Sequence, residues 1–396
     1  MKVIGIEEPS KKNIDAKKIL IKGIIVFIVI LIIILAILYG VNQQFRGFMD
    51  KYVLMKNVQE DNVTSILIDE SQTNSVYAYD KYIAILNQNK LIGYGSSGKK
   101  EYELTVEVNN PLVDINNRFL LIAEQEKQKI YLISGNSIVW EKELEGNISR
   151  VSVNKNGYVS VVVTGTASKS IIQTFDETGK ELFKAYLSRT IVVDTDISND
   201  NKYLSFAEIN TNGASAKSLI KTISIQKAKD AQQKNDSIIS TISAPSGSIV
   251  INLKYQDGNR LMCMYNDRIG LIQNENENVI FNLEDDAEKV TFSDIELTNH
   301  VYEITEKSSL LRTKDTVKII NVITNKTSTY ELESAVKETY SYNNTIALNL
   351  GSEVHFIDMN GWLSKKYTSS QEIKKVVLTD NFAGIVYRDK IEIVEL

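Results

Sequence analysis

AYDKYIAIL, residues 78–86, is a polar turn at Asp80 and Lys81 that opens into an apolar run starting at Tyr82. The same pattern returns as INNRFLLIA (115–123), NKNGYVSVVV (154–163), SNDNKYLSFAEI (198–209), YQDGNRLMCMY (255–265), ELTNHVYEI (296–304), SYNNTIALNL (341–350) and LTDNFAGIVY (378–387). The first apolar residues after the turns are Tyr82, Phe119, Tyr158, Tyr203, Leu261, Val301, Ile346 and Phe382, spaced by 37, 39, 45, 58, 40, 45 and 36. Apolar and polar residues alternate within the runs, which are bounded by Asn, Gly, Asp and Ser, so each reads as a short antiparallel strand. The long interval of 58 holds the polar stretch KAKDAQQK (227–234), which has almost nothing to bury and reads as a solvated insertion.

A second register trails the first. A turn is followed by an aromatic residue and then Leu in GKKEYEL (Tyr102), NSIVWEKEL (Trp140), GKELFKAYL (Phe183), ENVIFNL (Phe281) and KTSTYEL (Tyr330). Two registers in phase define a repeat of about 42 residues, room for four strands of five to six residues with their turns. Small sheets repeated radially hide their apolar faces against one another in a β-propeller. The last repeat supplies only three strands, and NVTSILIDE (62–70) supplies a fourth from the start of the domain. Pairing the two would leave no open edge. The expected fold is therefore all-β, an eight-bladed β-propeller. Seven blades result if the weak unit around Val301 is not a blade, and a β-solenoid or two stacked sandwiches is the structural alternative.

IIVFIVILIIILAILYGV, residues 24–41, holds no charged residue over 18 positions. At about 1.5 Å per residue it spans most of a roughly 30 Å hydrocarbon layer, with Lys22 able to snorkel at one end and Tyr39 at the other interface. A cleaved secretory leader has a shorter apolar core and a small-residue cut site; Leu38 and Gly40 make a poor one. Ahead of the run stand six lysines against Glu7, Glu8 and Asp15, a surplus of three, and since the whole chain is −5 the remainder stands at −8. The positive-inside rule then keeps the tail in the cytoplasm and exports the rest. The expected organisation is a cytoplasmic tail (1–23), a transmembrane helix (24–41), a juxtamembrane linker (42–59) and an extracytoplasmic propeller (60–396) closed by 62–70.

With G-K-x-x-aromatic at Gly98–Tyr102 and Gly179–Phe183, the units resemble WD-repeat-like and quinoprotein-like propellers. Tail, span and exported propeller together resemble an uncharacterised family of bacterial single-pass membrane-anchored propeller proteins over about residues 20–396. That resemblance implies the architecture and no activity. A quinoprotein dehydrogenase would imply a quinone on an aromatic floor and a bound calcium, whereas this chain has only Trp140 and Trp362.

Residue chemistry narrows the function by exclusion. One cysteine, Cys263, rules out an intramolecular disulfide framework or a Cys-rich metal site, and two histidines, His300 and His355, rule out a three-histidine centre. Cys263 alternates within an apolar strand and reads as a small buried hydrophobe. Each histidine reads as a satisfied strand-end residue. Glu284, Asp285, Asp286 and Glu288 could ligate a hard cation, but a solvated loop explains them more simply. Asp196, Asn199 and Asp200 read as turn-capping side chains. There is no G-x-S-x-G elbow, phosphate loop, EF-hand pattern or sialidase S-x-D-x-G-x-T-W turn. A net charge of −8 outside the tail disfavours nucleic acid. No catalytic, cofactor-binding or metal-ligating residue is assigned. The expectation is a noncatalytic binding or scaffold module at the cell envelope. Its partners would be the lipid bilayer, through 24–41, and an envelope protein or cell-wall polymer. The alternative is an envelope enzyme acting on carbohydrate or a small metabolite from the propeller's funnel.

Overall fold

In the computed structural model, which describes residues 16–41, 45, 49, 64–87, 89–213, 216–230, 237–283, 289–308 and 313–396, the backbone explains the recurring polar turn. Asp80, Asn117, Asn201, Asn259, Asn299 and Asn343 have φ between 50° and 60°, and Gly157 has φ 85°. Short Asx side chains and glycine tolerate this left-handed region, which bulkier residues avoid. In seven of the eight repeats such a residue reverses the chain between a first strand and the apolar second strand.

The strands form eight four-stranded antiparallel sheets. Seven follow chain order and draw their strands from 76–105, 111–143, 147–187, 191–243, 250–282, 289–332 and 338–368; they are blades 1 to 7. Blade 8 runs Lys375–Leu378, Phe382–Val386, Lys390–Glu395 and then Thr64–Leu67 from the start of the domain. Its joining register sets Thr64 opposite Ile393 and Leu67 opposite Lys390. The eight apolar markers read from the sequence fall at or beside the start of each blade's second strand, and the weak unit around Val301 is a complete blade 6. The fold is thus an eight-bladed β-propeller, not a seven-bladed one.

The first strands of blades 2 to 5, and those of blades 7, 8 and 1, lie beside one another, which makes them the innermost strands. They are Val76–Tyr79, Pro111–Asn116, Asn147–Val153, Ile191–Ile197, Val250–Gln256, Lys289–Asp294, Glu338–Tyr342 and Lys375–Leu378. Apolar cores fill the gaps between blades, one cluster at each of the eight junctions. At the closing junction Ile66 and Ile393 of blade 8 pack with Val76 and Ile83 of blade 1. No blade buries its faces alone, so the ring is the unit of stability.

Two expectations need correction or restriction. The insertion at 227–234 is not wholly solvated. It begins within a short helix, Ile225–Asp230, whose Ile225 is buried and whose Ala228 packs against the core of blades 3 and 4; the remainder of it lies outside the described residues. Near the N-terminus the chain divides into a separate unit, Met1–Met55, distinct from Lys56–Leu396. It contains a helix, Ala16–Val41, with described side chains at 24 and 26–39 only. Among the described residues no helix is long and apolar enough to cross a membrane, so the expected transmembrane helix at 24–41 rests on the sequence run alone. Residues 1–15 and most of 42–59 lie outside the described residues.

Candidate functional site

Polar side chains converge where the innermost strands face the propeller axis. Blade 2 contributes Asp114, blade 3 Arg150 and Ser152, blade 4 Asp194 and Asp196, blade 5 Lys254, blade 6 Asp294 with Glu296 just beyond it, and blade 7 Tyr340 and Tyr342. They line two cavities of about 290 and 260 Å³ that share Asp114, Lys254 and Glu296. A backbone irregularity recurs in four successive innermost strands. The register shifts between Ile148 and Arg150, Val192 and Asp194, Val250 and Asn252, and Val290 and Phe292. A bulge turns the side chains that follow it, and in these blades the residues that follow it include the channel's polar groups.

Most of those groups are engaged by the next blade. Asp114 accepts the backbone N–H of Val153 at 2.6 Å, Asp194 that of Leu253 at 2.7 Å, and Asp196 that of Tyr255 at 2.6 Å. Ser152 Oγ donates to Asp196 at 3.0 Å, and Ser341 Oγ to Asp294 at 2.7 Å. Lys254 Nζ pairs with Glu296 at 2.7 Å, and Arg150 Nε donates to the Val193 carbonyl at 3.0 Å. Carboxamides repeat the device at the strand ends. Asn116 donates to the Val153 carbonyl at 3.1 Å, Asn154 to that of Ser198 at 3.0 Å and Gln256 to that of Ile295 at 3.0 Å.

The electrostatics follow from this crowding. Burial pushes Asp114 and Asp294 above the usual carboxylate range. Burial likewise pushes Asp194 up to about 7, against the pull of the Leu253 N–H, and Asp196 up to about 6, against the pull of the Lys254 charge and the Tyr255 N–H. Burial alone would lower Lys254; Glu296, Asp114 and Asp196 outweigh it and hold the ammonium well above its ordinary value. The channel is therefore an acidic constriction around the Lys254 ammonium.

Of the residues singled out in the sequence, Asp196 is the one that reaches this channel, and its reading as a turn cap is wrong: it lies on Ile191–Ile197 and is 2% exposed. Asp200 does cap the turn, accepting Ser198 Oγ at 2.7 Å, and Asn199 donates to Asp257 at 3.3 Å. His300 is held by the Thr298 carbonyl at 2.9 Å and by Asn321 at 3.0 Å. His355 meets the Tyr330 hydroxyl at 2.9 Å. Cys263 is fully buried, and its thiol is pushed well up by desolvation. Glu284, Asp285, Asp286 and Glu288 lie outside the described residues, and among the described residues no group of three His, Cys, Asp or Glu side chains is placed to hold a metal ion. Asp114, Asp194, Lys254 and Glu296 were missed; the available signal was a charge inside an otherwise apolar strand, as in PLVDIN and IVVDTDI. A larger cavity, about 680 Å³, lies away from the axis between blades 3 and 4. Its buried Glu208 is closed off by Lys221 at 2.6 Å and by Thr190 at 2.8 Å.

The chain matches the model of a family described as "Family of unknown function (DUF5711)" over residues 55–396. No curated protein matches it. Among solved structures it is similar to Chaetomium thermophilum Sqt1 bound to the N-terminus of the ribosomal protein L10, with TM-score 0.51 and 10% identity over 85% of this chain and 100% of that one. The tricorn protease gives 0.50 and 12% over 80% of this chain but 36% of that one. BamB from Moraxella catarrhalis gives 0.49 and 11% over 85% and 100%. At these identities the likeness is one of fold.

Proposed function

The chain belongs to the family of unknown function DUF5711, and we propose that it is a noncatalytic binding module, held at the cell membrane by residues 24–41 with its propeller outside. The observation that carries the binding reading is the commitment of the channel carboxylates. Asp114, Asp194 and Asp196 accept backbone N–H groups of the neighbouring blade, so they tie blade to blade rather than stand free as acid and base. A closed ring with polar loops presents a preorganised surface, which lowers the ordering cost of association. For the anchor, the support is the 18-residue uncharged run and the lysine surplus before it. The occupant of the surface is an envelope protein or a wall polymer.

Photo-crosslinkers placed at Asn117 and Thr298, which are exposed and line the 260 Å³ cavity, test this in intact cells. Discrete adducts from those positions, absent when the probe replaces Val139 on the outer strand of blade 2, support it; unadducted protein at both positions overturns it. The anchor is tested apart from this by deleting 24–41, which should release the chain from the membrane fraction.

One observation favours a second reading. Asp194, titrating near neutrality, lines the 290 Å³ cavity with Asp196 and Lys254, as a general acid–base pair in a funnel enzyme would. Turnover of an envelope glycan or metabolite that is lost in Asp194→Asn would favour it.

A further inference from the structure

The innermost strand of blade 4 carries Asp194 and Asp196 two residues apart, so both side chains leave the same face, toward blade 5. Asp194 accepts Leu253 N–H at 2.7 Å; Asp196 accepts Tyr255 N–H at 2.6 Å and Ser152 Oγ–H at 3.0 Å. Neither forms an ion pair among the described residues. Of the two cations lining the same cavity, Lys254 pairs with Glu296 at 2.7 Å while its charge also attracts Asp196, and Arg150 donates to the carbonyls of Ser149 at 2.7 Å and Val193 at 3.0 Å. The other charged or titratable groups acting on the pair are Asp114 of blade 2, Glu296 of blade 6, and Tyr255 and Cys263 of blade 5. Of these, Asp114 and Glu296 add negative charge, and the other two are neutral in the ordinary range.

When ionised, the pair sets two like charges in a desolvated seam, and Asp114 and Glu296 add to the repulsion; the Lys254 ammonium offsets this at Asp196 only in part, since burial still holds that carboxyl above its ordinary range. A protonated carboxyl keeps a carbonyl oxygen that can accept the same backbone N–H. Protonation therefore removes the repulsion without removing the hydrogen bonds that join the blades. We propose that Asp194 and Asp196 make the junction of blades 4 and 5 a proton-responsive clasp, closed when the pair is protonated and loosened when both members are charged. The clasp forms one wall of the 290 Å³ cavity, so proton binding also sets how firmly that wall is held. The inference is independent of what the propeller binds.

The sign follows from linkage. Both groups sit above the unfolded carboxylate value of about 3.9, with Asp194 at about 7 and Asp196 at about 6. The folded ring then binds more protons than the unfolded chain between about pH 4 and pH 7, and its stability falls as pH rises through that window.

Amide hydrogen exchange of the full chain at pH 5.5 and pH 8, corrected for intrinsic rates, reads the clasp at Leu253 and Tyr255. The expected result is that their opening equilibrium rises about tenfold or more from the lower to the higher pH, since about 1.5 units of the titration window, from pH 5.5 to the upper value of about 7, lie between the two conditions. Asp194→Asn with Asp196→Asn should keep the protected value at both pH values, and Glu372→Gln, an exposed control, should follow the wild type. Equal wild-type protection at the two pH values overturns the proposal, and so does a double variant that keeps the wild-type slope. If the double variant does not fold, Asp194→Asn alone is read the same way, and the wild-type slope remains decisive.

Discussion

Asn154, one residue past the innermost strand of blade 3, ties three segments together. Its Nδ2 donates to the Ser198 carbonyl at 3.0 Å and to Asn201 Oδ1 at 2.6 Å, while its Oδ1 accepts the N–H groups of Asn156 and Tyr158 at 3.0 Å each. It is 1% exposed, so truncation strands the buried Ser198 carbonyl and removes three part-buried hydrogen bonds at once. Asn154→Ala should lower unfolding free energy by about 2 kcal/mol, the cost of leaving buried polar groups unsatisfied, read as a lower urea midpoint. Cys263 makes an opposite prediction. With no exposure and a thiol pushed well up, it should resist maleimide in the native state and react fully in denaturant; native labelling would contradict its placement. This scale was the hardest to read from sequence. Asp196 is the last residue but one of its strand, two residues ahead of SNDN, so it looks like one more Asx turn residue. Its proximity to Tyr255 exists only because two blades 59 residues apart in this pair become neighbours. His300, at the start of its strand, and the thiol were legible because strand-end and alternating positions define their surroundings locally, whereas His355 lies within Glu353–Asp358 rather than at a strand end and meets Tyr330 of the preceding blade.

At the level of the element, the alternation that marks a second strand is local and strong, which is why all eight could be placed from Tyr82 to Phe382. The fourth strands were less visible. In five blades an aromatic residue marks them, but Ile238–Ser243 of blade 4 has none and alternates half-buried with exposed positions. Turn chemistry adds its own constraint. Gly179 has φ 81°, and a Cβ there would lie 2.7 Å from Trp140 Cγ of the neighbouring blade. Gly179→Ala therefore meets both backbone strain and a ring, and should cost about 1–3 kcal/mol. The thermal midpoint reads this, with Gly247→Ala as the comparison, since nothing lies within 4 Å of its Cβ position. In the closing strand Ile66 is 4% exposed and packs into the blade 8–blade 1 core. Ile66→Ala should cost about 2–5 kcal/mol, seen as a lowered midpoint, whereas Leu67→Ala next to it, 83% exposed, should be nearly silent.

Across the whole molecule, stability resides in eight inter-blade cores and in polar ties that cross the same junctions on the axis side. The repeat period made the ring legible from sequence, because radially repeated sheets of four short strands hide their two apolar faces against one another. The channel's charge was not legible, because it is assembled from one or two residues per blade drawn from 114 to 296. The central claim is that both ends of the propeller share one sheet. Ser65 and Glu392 are direct cross-strand partners, a separation within reach of a disulfide. The measurement is oxidation of Ser65→Cys/Glu392→Cys in a Cys263→Ser background, followed on non-reducing gels and by thermal denaturation. The account predicts near-complete intramolecular crosslinking of the folded chain and a higher melting temperature than the reduced form. Failure to crosslink while folded, or crosslinks between chains instead, would contradict the closed ring.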